Sequence, residues 1–424
     1  MLFKPSIYNY IKTGEKFVAI CNTFSGGLAI LEHNEYNKLQ NVHFFNKIDN
    51  DLEEWLKQGF IVDNNKDELS IVNYCRCRDA FLNNRPIYRI LTTTACNARC
   101  FYCYEKGRTV QFMSKETAIK TADFIIKHAE NAKEILLNWF GGEPLLNYTV
   151  ITLITQKLSA ALNNKITSSI ITNASLFSKE MITIAKENWN LNSVQITLDG
   201  MAEVHDNRKS YINKCFSFGE TIETIGLLLS SNFRIILRLN YDKNNITDII
   251  KLIYFIHETF GNNHNLICYA YPLFNTATNQ ESSYVYYEDI PRYMPIIINV
   301  LMECGYYNPL KIIQRRTNAC FATDPYSCVI NTDGLLYKCT MDSMEPSRSV
   351  GNVNDGFVMN NPLIEWTTPV IPKHCYECKM LPICQGGCRA SRMLNMDASG
   401  CAIKRQLIEY TLNHLLNTVY HESN

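Results

Sequence analysis

Between residues 86 and 275 the apolar positions switch period again and again. Short runs rich in β-formers give way to the three-and-four spacing of amphipathic helices. The strand-like runs are 88–95, 134–140, 168–172, 193–198, 234–240 and 265–271. Helical spacing falls between them, at 115–130, 148–162, 179–187, 218–229 and 248–260. Repeated strand–helix units predict an α/β fold with a parallel sheet, and functional residues then gather where strands end. That rule singles out Cys96, Gly141, Thr172 with Asn173, Asp199 with Gly200, and Asn240. Upstream, 16–22 and 28–32 read as strands around a Ser25-Gly26-Gly27 turn. Short helices follow at 35–40 and 51–58, then an apolar run at 60–62.

A chain of 424 residues is long enough for more than one domain. Lys plus Arg and Asp plus Glu number 41 each, so the formal charge is zero, which argues against a nucleic acid bound on a broad basic face. No apolar run approaches 18 residues, and Met1-Leu2-Phe3-Lys4-Pro5 lacks the regions of a signal peptide. A cytoplasmic location without membrane contact is therefore expected. In such a compartment the 17 cysteines read as metal ligands rather than disulfides.

Three of them, Cys96, Cys100 and Cys103, follow the first strand in the order C-x3-C-x2-C. At this cysteine frequency the spacing arises by chance in only about 0.03 of chains this long. Soft thiolates select Fe–S, Zn or Cu(I). Three of them hold three corners of a cubane cluster and leave the fourth iron open; a zinc knuckle with its fourth ligand elsewhere is the plainer alternative. Cys96-Asn-Ala-Arg-Cys100-Phe-Tyr-Cys103, with Gly141-Gly142-Glu143-Pro144 at the next strand end, resembles the radical S-adenosylmethionine (SAM) superfamily. The resemblance implies an open partial (β/α)6 TIM-like barrel. It implies a [4Fe–4S] cluster whose open iron takes the amino and carboxylate groups of SAM, and a 5′-deoxyadenosyl radical that removes a hydrogen atom from substrate. By the same resemblance the Tyr102 backbone meets adenine, Gly141, Gly142 and Glu143 meet the SAM ammonium end, Thr172 and Asn173 reach the ribose or sulfonium side, and Arg238 pairs with the SAM carboxylate. The bland alternatives are helix capping for Thr172 and Asn173, a salt bridge inside the barrel for Arg238, and a structural hydrogen bond for His205.

A second constellation lies downstream: Cys375-x2-Cys378-x5-Cys384-x3-Cys388, then Cys401, preceded by Cys320-x13-Gly334-x4-Cys339. It resembles the SPASM extension of radical SAM enzymes, with two auxiliary [4Fe–4S] clusters. The resemblance gives Cys320, Cys328, Cys339 and Cys388 to the first and Cys375, Cys378, Cys384 and Cys401 to the second. Cys328 lies outside the seven-cysteine core of that motif, and without it the first auxiliary cluster has an open iron. Asp333-Gly334 predicts a hairpin turn between Cys328 and Cys339. Zinc held by C-x2-C pairs is the competing reading. Cys21, Cys75, Cys77, Cys215, Cys268 and Cys304 have no ligand spacing and read as core residues; Cys75-Arg76-Cys77 is the one closely spaced pair among them, and C-x-C alone is a weak signal.

The expected organisation is an N-terminal α+β peptide-recognition-like unit (1–85), the partial barrel (86–275), a bridging helical segment (276–317), the SPASM domain (318–404) and a terminal helix (405–424). The expected function is modification of a ribosomally made precursor peptide, giving a thioether or other side-chain cross-link, with a flavodoxin- or ferredoxin-type electron donor. A formylglycine-forming anaerobic sulfatase-maturating enzyme is the nearest alternative. There an Asp follows the hairpin's second cysteine, whereas here Asp342 arrives two positions late. A non-catalytic iron–sulfur or zinc scaffold is the alternative of another class.

Overall fold

A computed structural model describes residues 2–44, 49–82, 84–103, 105–162, 165–212, 216–274, 284–285, 287–308, 320–368, 370–393 and 400–422. The N-terminal unit contains β1 (Phe3–Pro5), β2 (Asn9–Thr13), β3 (Phe17–Asn22), β4 (Leu28–Glu32), α1 (His33–Gln40), α2 (Asn50–Gln58), β5 (Ile61–Asp63) and α3 (Glu68–Phe81). β2, β3 and β4 form an antiparallel sheet in that order, and β1 pairs with β5. One side of this unit closes on Ile20, Leu39, Leu52, Trp55 and Phe60. Ala19 and Cys21 face the other way, onto Met380, Ile383, Ile408 and Leu412. The N-terminal unit is thus packed against the cysteine-rich segment and the terminal helix rather than standing apart. Sequence periodicity missed β1, β2 and α3, because three- and five-residue strands and a helix without a clear apolar stripe carry little periodic signal.

The central units follow as read, with α7 as an added helix that the periodicity did not mark. They are β6 (Ile87–Thr93), α4 (Lys115–His128), β7 (Ile135–Gly141), α5 (Tyr148–Leu162), β8 (Ile166–Thr172), α6 (Lys179–Asn188), β9 (Leu191–Leu198), α7 (Ala202–Lys209), α8 (Phe218–Ser230), β10 (Arg234–Tyr241), α9 (Ile246–Phe260) and β11 (Leu266–Pro272). β6 to β11 pair in parallel, each with its successor. Ser114, Ser178 and Ser217 accept the orphan amides at the starts of α4, α6 and α8, which fixes where each helix leaves its loop. Alternation sorts each strand's side chains. Tyr88, Ile90, Leu137, Trp139, Ile170 and Val194 are buried against the helices. Arg89, Asn138 and Ser169 share a register row on the opposite, inner face, where Arg89 donates to Asn138 at 2.7 Å and Asn138 to Ser169 at 2.9 Å. This row of the inner face is therefore polar, while Leu91 and Phe140 at the next row towards the strand ends are apolar.

The remaining elements are α10 (Ile290–Glu303), β12 (Cys328–Ile330), β13 (Leu335–Tyr337), β14 (Gly351–Asn352), β15 (Gly356–Phe357), α11 (Asn361–Thr367), α12 (Leu381–Cys384), α13 (Arg389–Met393) and α14 (Gly400–Glu422). The expected Asp-Gly hairpin is β12–β13, with Gly334 at φ 86°. It does not stand in a sheet of its own. β12 pairs in parallel with β6, so among the described residues one ten-stranded sheet runs β11-β10-β9-β8-β7-β6-β12-β13-β14-β15. No helix among the described residues is long and apolar enough to cross a membrane.

Candidate functional site

The three clustered cysteines sit on the loop leaving β6, and the end of β7 is clamped under it. A Cβ on Gly141, which has φ 130°, would stand 2.1 Å from the Thr93 carbonyl oxygen. One on Gly142 would stand 2.3 Å from that of Ala95. Only glycine allows this approach. Gly142 N–H donates to Thr93 at 3.0 Å and Glu143 N–H to Ala95 at 2.8 Å. The neighbouring strand end thus uses these two amides.

Glu143 is engaged within the fold. Its carboxylate is fully buried and accepts from Thr172 Oγ1 at 2.8 Å, from the Asn173 amide at 2.8 Å and from the Leu145 amide at 3.1 Å. Burial pushes its pKa up to about 7 against the pull of those donors. It latches β7 to β8 rather than offering a free carboxylate to an ammonium group, and the Thr172 hydroxyl is occupied by the same latch. Asn173 stays at the site: its Nδ2 donates to Asn97 at 2.8 Å and lies 3.9 Å from Cys96 Sγ.

The Tyr102 side chain reaches into the barrel. Its hydroxyl donates to Asp199 at 2.8 Å and lies within reach of Asn240. Burial raises the pKa of Asp199. His205 is the structural histidine of the bland reading. It is buried, its Nδ1 accepts the Asp199 amide at 3.2 Å, and burial holds its pKa well below the ordinary value. Arg238 makes no salt bridge among the described residues. It donates to Asn240 at 2.9 Å and stacks 4.5 Å over the Tyr271 ring.

Sequence reasoning missed Lys209. Only 2% exposed, it ends α7, donates to the Thr197 carbonyl, and is close enough to draw down the pKa values of Cys100, Asp199 and Glu143. α7 is mostly polar, with only Ala202 and Val204 apolar, so no periodic signal marked it.

Cys96, Cys100 and Cys103 lie within each other's electrostatic reach. Burial pushes Cys96 up to about 11 and Cys100 up to about 12, so as free thiols they hold protons that metal binding would release. Among the described residues no three His, Cys, Asp or Glu side chains converge on a single-ion site. A set of three half-buried thiols on one loop, with no fourth protein ligand beside them among the described residues, fits a cubane corner set. Cys375, Cys378, Cys384 and Cys401 form a mutually close group, in which the Cys384 thiol donates to Cys401, raising the first and lowering the second. Cys320, Cys339 and Cys388 form another. These two sets fit auxiliary clusters on the same grounds.

Cys328 departs from its expected place. It is fully buried in the main core with Tyr88, and the charges that reach it come from Lys338 and Asp324 rather than from the other cysteines. The cause is the strand period: Val329 points to the face of Leu91 and Tyr337, so its neighbour must point to the helix side. Cys21, Cys268 and Cys304 are buried as expected, Cys75 and Cys77 are half-buried on α3, and Cys215 lies outside the described residues. Asp342 is tied up by Arg348 at 3.2 Å and Trp366 Nε1 at 3.2 Å.

The two cysteine regions meet. Arg89 donates to Thr340 at 3.4 Å, Arg108 to the Thr340 carbonyl at 3.5 Å, and Tyr271 lies within the electrostatic reach of Cys388. Residues 90–256 match the family model described as the radical SAM superfamily. The chain is 23% identical to the radical SAM cyclopropyl synthase TigE of Paramaledivibacter caminithermalis, over 95% of this chain and 87% of that one. It is 23% identical to a cysteine-type anaerobic sulfatase-maturating enzyme of Clostridium novyi, over 71% and 86%. Among solved structures it resembles anSMEcpe with AdoMet and the Cp18Cys peptide bound, at TM-score 0.63, 18% identity and 79% and 99% coverage. It also resembles Streptococcus suis SuiB bound to the precursor peptide SuiA, at TM-score 0.52, 13% identity and 92% and 97% coverage.

Proposed function

Taking as premise that this chain is a radical SAM superfamily enzyme, we propose that it modifies a side chain of a genetically encoded precursor peptide, forming a thioether or other cross-link. One observation carries the reading. A file of side chains leads from the cysteine loop of β6 towards the second cysteine region across the barrel's inner face: Tyr102 with Asp199 and Asn240, then Arg238 and Tyr271, which lies within the electrostatic reach of Cys388. Substrate held along that file lies between a radical source and an electron acceptor.

When bound to Cys96, Cys100 and Cys103, the cluster with SAM supplies the 5′-deoxyadenosyl radical. The chain's own groups do the holding. The carbonyls at the Gly141-Gly142 strand end, whose amides are already used, suit an ammonium group. Arg238, planar and free of a carboxylate partner among the described residues, suits the SAM carboxylate. Cys320, Cys339 and Cys388 hold one auxiliary [4Fe–4S] cluster and Cys375, Cys378, Cys384 and Cys401 the other. A cross-link removes two hydrogens from the substrate, one as an atom and one as a proton with an electron, and clusters bound at the auxiliary cysteines would supply the acceptor for that electron. A flavodoxin- or ferredoxin-type donor reduces the first cluster.

The N-terminal unit supplies peptide affinity. β4 has no second partner strand among the described residues. Asn22 N–H donates to Gly27 O at 2.8 Å, so alternation turns the backbone groups of Leu28 and Ile30 outward, ready for strand addition by an extended leader, while the Glu32 amide is taken by Glu35 at the start of α1. The formylglycine reading is disfavoured by Asp342, whose carboxylate is engaged by Arg348 and Trp366 and is not available as a base. The test is mass spectrometry of a peptide encoded beside this protein, coexpressed with and without it. A dehydrogenated, cross-linked peptide is expected, whereas an aldehyde-bearing product would overturn the reading.

A further inference from the structure

Arg76 is the middle residue of Cys75-Arg76-Cys77 on α3. Its side chain leaves the N-terminal unit for a cavity of about 50 Å³ that lies between the two auxiliary cysteine groups. Cys320 of one group and Cys384 of the other line that cavity, with Gly387, Arg389 and Arg392. Three guanidinium groups therefore converge where two sets of thiols meet. Arg76 lies within electrostatic reach of Cys384, Cys375 and Arg392, and Arg389 within reach of both other arginines.

Carboxylates do not balance this charge. Among the described residues none of the three forms an ion pair, and Glu365, the carboxylate nearest in influence to Arg389, already pairs with Arg348 at 2.8 Å. Arg392 donates to the Gly386 carbonyl and Arg389 to that of Thr368. Nη1 of Arg76 is buried with no hydrogen-bond partner. Burial and mutual repulsion both disfavour these cations, so an uncompensated set is costly. A cluster held by four thiolates is an anion, and net charge in its surroundings is one of the levers on its reduction potential. Adding an electron makes the cluster more negative, so a fixed cation favours the reduced form.

We propose that Arg76 is a positioning residue for the auxiliary cluster held by Cys375, Cys378, Cys384 and Cys401, stabilising its one-electron-reduced form and raising its reduction potential. The inference rests on the proposed assignment of those cysteines as cluster ligands. Its further consequence is that a helix of the peptide-docking unit carries the charge that poises the electron acceptor.

The experiment uses the full chain with Cys96, Cys100 and Cys103 changed to Ala, so that only auxiliary clusters remain. The protein is reconstituted anaerobically, its iron counted, and the reduced clusters followed by EPR through a dithionite titration. Arg76→Gln is expected to lower one midpoint by at least a tenfold change in the redox equilibrium, about 59 mV for one electron. Arg76→Lys is expected to restore most of the shift. Should R76Q not fold, Arg76→Met, which keeps the packed stem, is read instead. Unmoved midpoints with auxiliary iron in place would overturn the proposal. So would loss of auxiliary iron in the variants alone, because Arg76 would then serve assembly rather than potential. Absence of auxiliary iron from the parent protein would instead overturn the ligand assignment itself.

Discussion

Replacing Gly142 by Ala should leave a folded protein that cleaves SAM poorly. The new Cβ would stand 2.3 Å from the Ala95 oxygen, 2.6 Å from its carbonyl carbon and 2.8 Å from the Thr94 oxygen, where ordinary contact begins at 3.4 Å. The shortfall of 1.1 Å falls wholly on backbone, so no side chain can turn aside. The peptide that must move accepts the Glu143 amide and immediately precedes Cys96. Overpacking of this kind costs about 1–3 kcal/mol. That is well inside a typical stability of about 5–15 kcal/mol, so the fold survives. Misplacement by about 1 Å at a reacting centre costs on the order of 100-fold in rate. The assay is 5′-deoxyadenosine formation under dithionite without peptide, normalised to iron content, with thermal melting by circular dichroism alongside. Wild-type cleavage by an iron-loaded G142A protein would refute the argument that these glycines set the cysteine loop. Gly141→Ala should be worse, because its φ of 130° is a conformation almost reserved for glycine.

Three other outcomes are expected. Glu143 has a folded-state pKa near 7, above its unfolded value, so its contribution to stability is present in acid and lost as pH rises through about 7. Urea melts of the apoprotein should show that decline, and Glu143→Gln should flatten it. Cys328→Ala should cost about 1 kcal/mol of core packing while leaving iron content and the auxiliary EPR signals at wild-type levels, whereas Cys339→Ala should lose iron. Ile30→Pro removes an outward N–H from β4 without touching its ladder to β3. It should weaken leader-peptide binding in fluorescence anisotropy severalfold and leave peptide-independent SAM cleavage unchanged, and equal affinity would count against docking on that edge.

Period and spacing disclosed the parallel sheet to within one or two residues at most strand ends, because each strand has one face sealed under a helix. Tyr88, Leu137 and Ile170 had to be apolar, and they announced themselves. The cysteines were legible for a related reason: thiols that meet in a loop or a short helix must be close in sequence. Lys209 and Asp199 were not legible as partners, since what joins them is the burial of a polar helix end. Nor was the latch formed by Glu143, whose residue type suits an ammonium ligand equally well. The orientation of Cys328 was not legible for the same reason. In a strand, a shift of one position exchanges core for site, and a three-residue strand is too short to show its phase.

The parallel pairing of β12 with β6 bears on how the molecule can be divided. Ile87 and Ser327, 240 positions apart, meet at its start, where the Ile87 amide donates to Ser327 Oγ at 2.8 Å. The first strand of the barrel is therefore completed by a segment synthesised after all the other barrel strands. Until then β6 waits with one row of backbone groups bare, the condition that invites pairing with another chain. A fragment ending near residue 300 would carry the whole radical-generating half and still expose that seam, so it should aggregate where the full chain does not. The cysteine-rich tail is thus also the selvedge of the sheet.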